Sequence, residues 1–175
     1  TMEAPTKLIA NIPYHITTPL LWRLLETLVP RGTGYILLMV QLEAAERIAA
    51  PAGTHERTPL GVTIQAMGRA KILRRVPPEA FYPKPEVNSA LIEIKLSANL
   101  ALANNKIWRR LLAVSFAQRR KTLLNNWKAV GIERETALAL FGQLGLNETA
   151  RAEELTAEQW LSLSSLFESQ NIFGE

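Results

Sequence analysis

The chain has 175 residues, with 20 Lys and Arg against 16 Asp and Glu, 47% hydrophobic residues, four Trp and no Cys. That composition fits one or two soluble globular domains and excludes disordered, collagenous and disulfide-framed classes; without cysteine there is also no thiolate nucleophile and no Cys-based zinc site. Two isolated histidines, His15 and His55, leave little for any other transition-metal site, so no metal is expected. The longest apolar runs, such as Tyr35 to Val40, fall far short of the ~18 residues of a membrane helix, and no signal-peptide layout opens the chain, so no membrane contact and a cytoplasmic setting are expected.

Lys7 to Ala10 predicts a short strand, and Asn11-Ile-Pro-Tyr14 an irregular loop, because Pro13 can neither donate to a ladder nor continue a helix. Thr17 or Thr18 can cap a helix with Pro19 in its first turn, and Leu20, Leu21, Leu24, Leu25 and Leu28 give that helix an apolar face. Pro30, Gly32 and Gly34 end it. Tyr35 to Val40 is a continuous apolar run, read as a strand buried on both faces in a parallel sheet. Gln41 to Ala50 reads as helix and Pro51 to Pro59 as a polar loop. The stretch Gly61 to Val76 contains a strand bearing Arg69, Lys71, Arg74 and Arg75, closed by Pro77-Pro78. Phe81 to Asn88, with Pro83 and Pro85, cannot be regular structure, and Ala90 to Leu96 is a final strand. From Asn99 the character turns helical, with helices predicted over Asn104 to Val130, Glu133 to Gly142 and Thr156 to Ser169. The expected division is an α/β unit over 1–98 and an all-helical unit over 99–175.

The net charge is small, but its distribution is not even. Asn104 to Val130 holds seven cations (Lys106, Arg109, Arg110, Arg119, Arg120, Lys121, Lys128) and no acid, while the remainder carries 13 basic against 16 acidic residues. A polyanion is the partner this segment suggests. Arg119, Arg120 and Lys121 stand in succession, so on a helix they would fan over more than half its circumference, while Trp108, Leu111, Leu112, Ser115, Phe116 and Leu123 form its core-facing stripe. A solvated face is the plain alternative; the lack of acids to pair with these cations favours phosphate binding, with Arg109 and Arg110 joining.

Asn11-Ile-Pro-Tyr14 closes a strand, and ligands of open α/β sheets bind at the carboxyl edge. The set suits an exocyclic amino group on a flat base. The adenine amino nitrogen is a poor nucleophile because its lone pair is delocalised into the ring. If its two N–H groups are accepted by the Asn11 side-chain oxygen and a backbone carbonyl near Ile12 or Pro13, a pyramidal nitrogen with an available lone pair is favoured, with Tyr14 stacked on the ring. Taken alone, the same residues also suit an ordinary turn.

With its flanks, the tetrapeptide resembles the Asn-Leu-Pro-Tyr motif of the ribosomal RNA adenine dimethyltransferases, the KsgA and Erm families. Further stretches agree with the KsgA type in order: Gln41-Leu-Glu-Ala-Ala-Glu-Arg-Ile48 with its post-strand helix, Phe81-Tyr-Pro-Lys-Pro-Glu-Val-Asn-Ser-Ala90 with its Phe-x-Pro-x-Pro loop, Phe116-Ala-Gln-Arg-Arg-Lys-Thr-Leu123 with the signature of its helical domain, and Arg151 to Thr156 with the lead into its last helix. The chain departs from the family at Leu42, at Glu86-Val-Asn88 and at Glu56 to Gly61, where Lys, Lys-Val-Asp and a Tyr-Gly step are usual. The resemblance implies the C-terminal part of a Rossmann-like S-adenosylmethionine-dependent methyltransferase domain followed by a small helical RNA-binding domain. It implies that Asn11, Pro13 and Tyr14 hold the target adenine, Phe81 adds a second aromatic face, Asn11 also meets S-adenosylmethionine, and Arg109, Arg110, Arg119, Arg120 and Lys121 bind RNA.

The activity implied is dimethylation of N6 on two adjacent adenosines of small-subunit (16S) ribosomal RNA, by a monomer acting on the small ribosomal subunit during its maturation. Erm-type methylation of large-subunit RNA is the close alternative, and a non-catalytic RNA-binding assembly module is another. The family's glycine-rich donor loop and ribose-binding acid are expected ahead of Thr1, so the chain by itself is expected to lack most of its cofactor site and to be inactive.

Overall fold

The computed structural model describes residues 5–174, except for the side chain of Tyr14. One mixed sheet is ordered β1-β2-β4-β3, from β1 (Lys7–Asn11), β2 (Tyr35–Gln41), β3 (Gly68–Val76) and β4 (Ser89–Leu96). β1 runs parallel to β2, with Asn11 opposite Met39, whereas β4 is antiparallel to both β2 and β3. The expected all-parallel setting of β2 is thus corrected, and so is its burial. Ile36, Leu38 and Val40 are fully buried while Tyr35, Leu37, Met39 and Gln41 stay partly exposed, so cover is complete on one face only among the described residues. At the start of β3, a Cβ on Gly68 would lie 2.0 Å from the Lys95 carbonyl oxygen, so glycine is what lets the β3 and β4 backbones approach.

The crossover between β1 and β2 is α1 (Thr17–Thr27), which buries Leu21, Leu24 and Leu25 against the sheet and begins after Ile16 without the side-chain cap expected of Thr17 or Thr18. β2 passes directly into α2 (Leu42–Ala49). A helix absent from the sequence reading follows: α3 (Pro59–Met67), capped by Thr58, whose hydroxyl oxygen accepts the Gly61 N–H at 3.2 Å. Leu60, Ile64 and Met67 join the sheet core, while Val62 and Ala66 join a second core formed by the C-terminal helices. A helix buried on both sides has no polar face, so its sequence lacks the amphipathic contrast from which helices are read.

That second core is built on α4 (Lys106–Ser115), α5 (Leu123–Lys128), α6 (Arg134–Leu144) and α7 (Ala157–Ser169). Trp108, Trp127 and Trp160 are fully buried in it, and Trp127 packs against Phe141 and Phe167 at 5.4 and 5.1 Å between ring centroids. The Trp108 indole N–H donates to the Thr63 hydroxyl at 2.9 Å, fastening α4 to α3 and hence the helical core to the sheet. The single helix predicted over Asn104 to Val130 is in fact two, α4 and α5, separated by a turn over Phe116–Thr122.

In the loop ahead of α3, Arg57 is fully buried, with no hydrogen-bond partner for Nε, Nη1 or Nη2 among the described residues. Burial pushes its guanidinium below the usual arginine value, and the charge of Glu158 at the start of α7 offsets part of that effect. A buried cation without partners opposes folding, and its replacement by an apolar side chain of similar length is often neutral or stabilising. Arg57→Met is therefore expected to leave stability unchanged or raise it by up to about 3 kcal/mol, at about 2–4 °C per kcal/mol in thermal melts. A fall in melting temperature of more than a few degrees would show that the guanidinium is well paired.

Candidate target-base cleft and nucleic-acid interface

The carboxyl end of β1 delivers Asn11 to the sheet edge, and the chain leaves the ladder at Ile12, whose N–H still reaches the Met39 carbonyl at 3.5 Å. Pro13 then turns the backbone into a single 3-10 turn over Tyr14–Ile16, closed by the Ile16 N–H donating to the Pro13 carbonyl at 3.3 Å. Asn11 and Pro13 are exposed while Ile12 is buried as the anchor of the turn. The Tyr14 side chain, to which stacking on the target base is assigned above, lies outside the described part of the structure.

Phe81, 70 positions beyond Asn11, comes to the same place. It is half-buried and, with Asn11, Ile12 and Pro13, lines an open cleft of about 340 Å³. Its loop is held at both ends: Lys84 pairs with Glu79 at 2.6 Å, and the Asn88 carbonyl accepts the Leu42 N–H at 2.9 Å, tying the loop to the start of α2. Tyr82 beside it is fully exposed, an aromatic ring to which the sequence reading gave no role although it stands in the same proline-framed loop. The cleft therefore brings together an amide side chain, a proline ring and a phenyl ring, a set that can meet the edge and face of a flat base.

The five cations assigned to RNA do not act as one group. Arg109 pairs with Glu26 of α1 at 2.8 Å and lies 3.8 Å from the centroid of the Trp22 ring, so it braces α4 against α1. The absence of acids holds within its own segment only; the partner comes from 83 positions earlier. Arg110 rests over the Phe173 ring at 4.3 Å. Arg119, Arg120 and Lys121 sit in the turn between α4 and α5, not on a helix as predicted, so they project from one tight bend instead of fanning around an axis.

That bend is rigidly held. The buried Asn126 side-chain amide donates to the carbonyls of Ser115 and Gln118 at 2.9 and 3.2 Å, and Thr122 caps α5 by accepting the Asn125 N–H at 3.3 Å. Arg119 Nη2 donates to the carbonyls of His55 and Arg57, both at 2.8 Å, docking the turn on the loop ahead of α3. The Arg120 and Lys121 side chains are exposed and have no polar partner among the described residues. Asn126 is thus a positioning residue that sequence reasoning missed, its only signal being an amide at a buried position of the helical pattern. The second row of cations, Arg69, Lys71, Arg74 and Arg75, lies exposed on the edge strand β3, where Arg75 pairs with Glu46 at 3.0 Å and charge also guards a sheet edge against pairing.

A mixed sheet with an open cleft at the carboxyl edge of its parallel strands, followed by C-terminal helices, is a fold shared with solved ribosomal RNA methyltransferases. A crystal structure of a dimethyladenosine transferase from Plasmodium falciparum matches with a TM-score of 0.79 at 24% identity, over 95% of this chain and 68% of the other. The 23S rRNA methyltransferase ErmE matches with a TM-score of 0.64 at 20% identity, over 96% and 68%. The family model described as ribosomal RNA adenine dimethylase matches residues 1–169, and the chain belongs to that family. Among its relatives, the ribosomal RNA small subunit methyltransferase A of Synechocystis sp. is 43% identical over 164 residues, covering 91% of this chain and 57% of the relative. The protein of that name from Lachnoclostridium phytofermentans is 36% identical over 171 residues, covering 95% and 58%. The chain therefore spans less than two thirds of the length of these relatives.

S-adenosylmethionine, which the family implies, is held in open α/β sheets by a glycine-rich turn after a strand and a carboxylate at a strand end. Among the described residues neither the carboxyl end of β1, at Asn11, nor that of β2, which leads into Leu42-Glu43-Ala44 of α2, carries a glycine-rich turn, and the carboxylate nearest the end of β2, Glu43, is paired with Arg47. The residues present could supply one wall of such a site, where Asn11 would be the hydrogen-bonding side chain.

Proposed function

We propose that this chain carries the target-base and RNA-holding part of an S-adenosylmethionine-dependent enzyme that dimethylates N6 of two adjacent adenosines in small-subunit ribosomal RNA, acting in the cytoplasm during maturation of that subunit. The observation that carries the reading is the convergence of Asn11, Pro13 and Phe81 on one open cleft at the sheet edge. The relatives named as small-subunit methyltransferases, at 43% and 36% identity, favour the small subunit; the likeness to ErmE is one of fold. The division of labour falls near residue 98, with 1–98 gripping the base and 99–175 gripping the phosphates, and the unit works as a monomer.

In this reading an unpaired adenine enters the cleft. The Asn11 side-chain oxygen and the Ile12 carbonyl accept its two amino N–H groups, the Pro13 carbonyl being engaged by Ile16, so the nitrogen lone pair is turned out of conjugation. Phe81 covers one face of the ring. Bound S-adenosylmethionine supplies the methyl group; the chain's own contribution is orientation and exclusion of water, with no titratable side chain required. A base inside a duplex cannot reach such a cleft and must be unstacked first.

The test is a comparison of two RNA hairpins that differ only in whether two adjacent adenosines are unpaired or paired. The 175-residue chain is expected to bind the unpaired form at least about tenfold tighter, because stacking a free base on aromatic side chains is worth about 1–3 kcal/mol. Equal affinity for the two hairpins in fluorescence anisotropy would contradict the reading.

A further inference from the structure

On the other flank of the Asn11 to Tyr14 turn lies a larger cavity, of about 500 Å³, which the target-base reading does not use. Its walls come from the first half of α1, both ends of α2 and the start of α3, and they include His15, Thr18, Trp22, Gln41, Arg47 and Thr58. It stands at the same sheet edge as the target cleft, because His15 follows the turn directly and Gln41 closes β2 beside β1. On its far side Thr58 is the next residue after Arg57, whose carbonyl holds Arg119 of the basic turn. The cavity thus occupies the interval between the base cleft and the phosphate-binding turn. A strand running from one to the other has to cross it.

We propose that this cavity seats the unpaired nucleotide that neighbours the target adenosine in the RNA; the inference rests on the function proposed above. The volume lies within the ~300–1,000 Å³ typical of small-ligand sites. Hydroxyls of Thr18 and Thr58, the Gln41 amide and the His15 imidazole provide both donors and acceptors for a base edge and a ribose. The Trp22 indole adds an aromatic wall that is fixed from behind by Arg109 and Glu26. The wall's one carboxylate, Glu43, is neutralised by Arg47 in an exposed pair, so it offers little opposition to an RNA phosphate nearby. The amide dipoles at the starts of α1 and α3 add positive potential to a wall already chosen by its side chains.

The experiment measures affinity of the 175-residue chain for the unpaired hairpin in which one nucleotide is replaced by an abasic residue, at the target position or at either neighbour. Loss of one neighbouring base is expected to weaken binding about five- to tenfold. Thr18→Phe, which fills the mouth of the cavity from an exposed position, is expected to weaken binding of the intact hairpin and to erase the difference between intact and neighbour-abasic RNA; His15→Ala is expected to shrink the same difference. An abasic neighbour that costs nothing, or a penalty that survives unchanged in both variants, overturns the proposal. Saturable binding of adenosine monophosphate alone at micromolar concentration overturns it too, by making the cavity a free-nucleotide site. Removal of the target base separates the two readings: if it costs affinity while neither neighbour does, the neighbour seat alone fails, and if it costs nothing, the target cleft itself fails.

Discussion

In the protein completed with the portion of the Synechocystis sp. relative that this chain does not match, Asn11→Ala is expected to lower kcat for methyl transfer by about 100-fold or more while RNA affinity stays within about threefold. The split follows from where the side chain acts. Asn11 is exposed at the end of β1 and its oxygen is assigned to the reacting amino group, an interaction that matters most as the nitrogen lone pair leaves the ring. In the proposed reading the base is also held by Phe81 and the RNA backbone by the basic turn, so binding is expected to survive the loss of one acceptor. Transfer of labelled methyl groups from S-adenosylmethionine, measured beside anisotropy on the same RNA, reads both numbers. Near-normal turnover would remove Asn11 from the chemistry.

Replacing Arg120 and Lys121 together by Gln is expected to weaken RNA binding about 100-fold at low salt and to reduce the slope of log affinity against log salt by about 1.4 to 1.8 units, because each phosphate that a cation neutralises sheds slightly less than one counterion. These two cations project from the held turn without polar partners among the described residues, so they are available to phosphates, and stability should hardly move. Arg119→Gln is expected to do the opposite. Its guanidinium is spent on the carbonyls of His55 and Arg57, so removing it should lower the melting temperature by a few degrees and leave the salt slope nearly unchanged. An unchanged slope in the double variant would place the RNA elsewhere.

The contrast between Arg119 and its two neighbours marks the limit of what the sequence could disclose. Strands β1, β2 and β4 and the amphipathic α1 are legible because apolar periodicity and the prolines and glycines around them are local signals. The turn at Phe116–Thr122 is not, since no proline or glycine interrupts the stretch and the leucines keep helical spacing across it; the break is enforced by Asn126, whose buried amide takes two carbonyls that a continuous helix would need. α3 escaped for the opposite reason, being packed between two cores and therefore apolar nearly all round. Asn11 was a candidate from its place at the end of a strand, but Phe81 joined it only through family resemblance, because nothing in a chain's local pattern says that residues 70 positions apart share a cleft. Arg109 shows the same limit in charge: its partner Glu26 is invisible at 83 positions' distance.

Photocrosslinking tests the central claim most directly. The unpaired hairpin is synthesised with 8-azidoadenosine at the target position, irradiated in complex with the 175-residue chain, and the modified peptides are identified by mass spectrometry. The account predicts adducts within Asn11 to Tyr14 and at Phe81 or Tyr82, from the cleft that these segments share and the ring beside it. Adducts confined to Arg69 to Arg75 on β3, with none on either segment of the cleft, would contradict it.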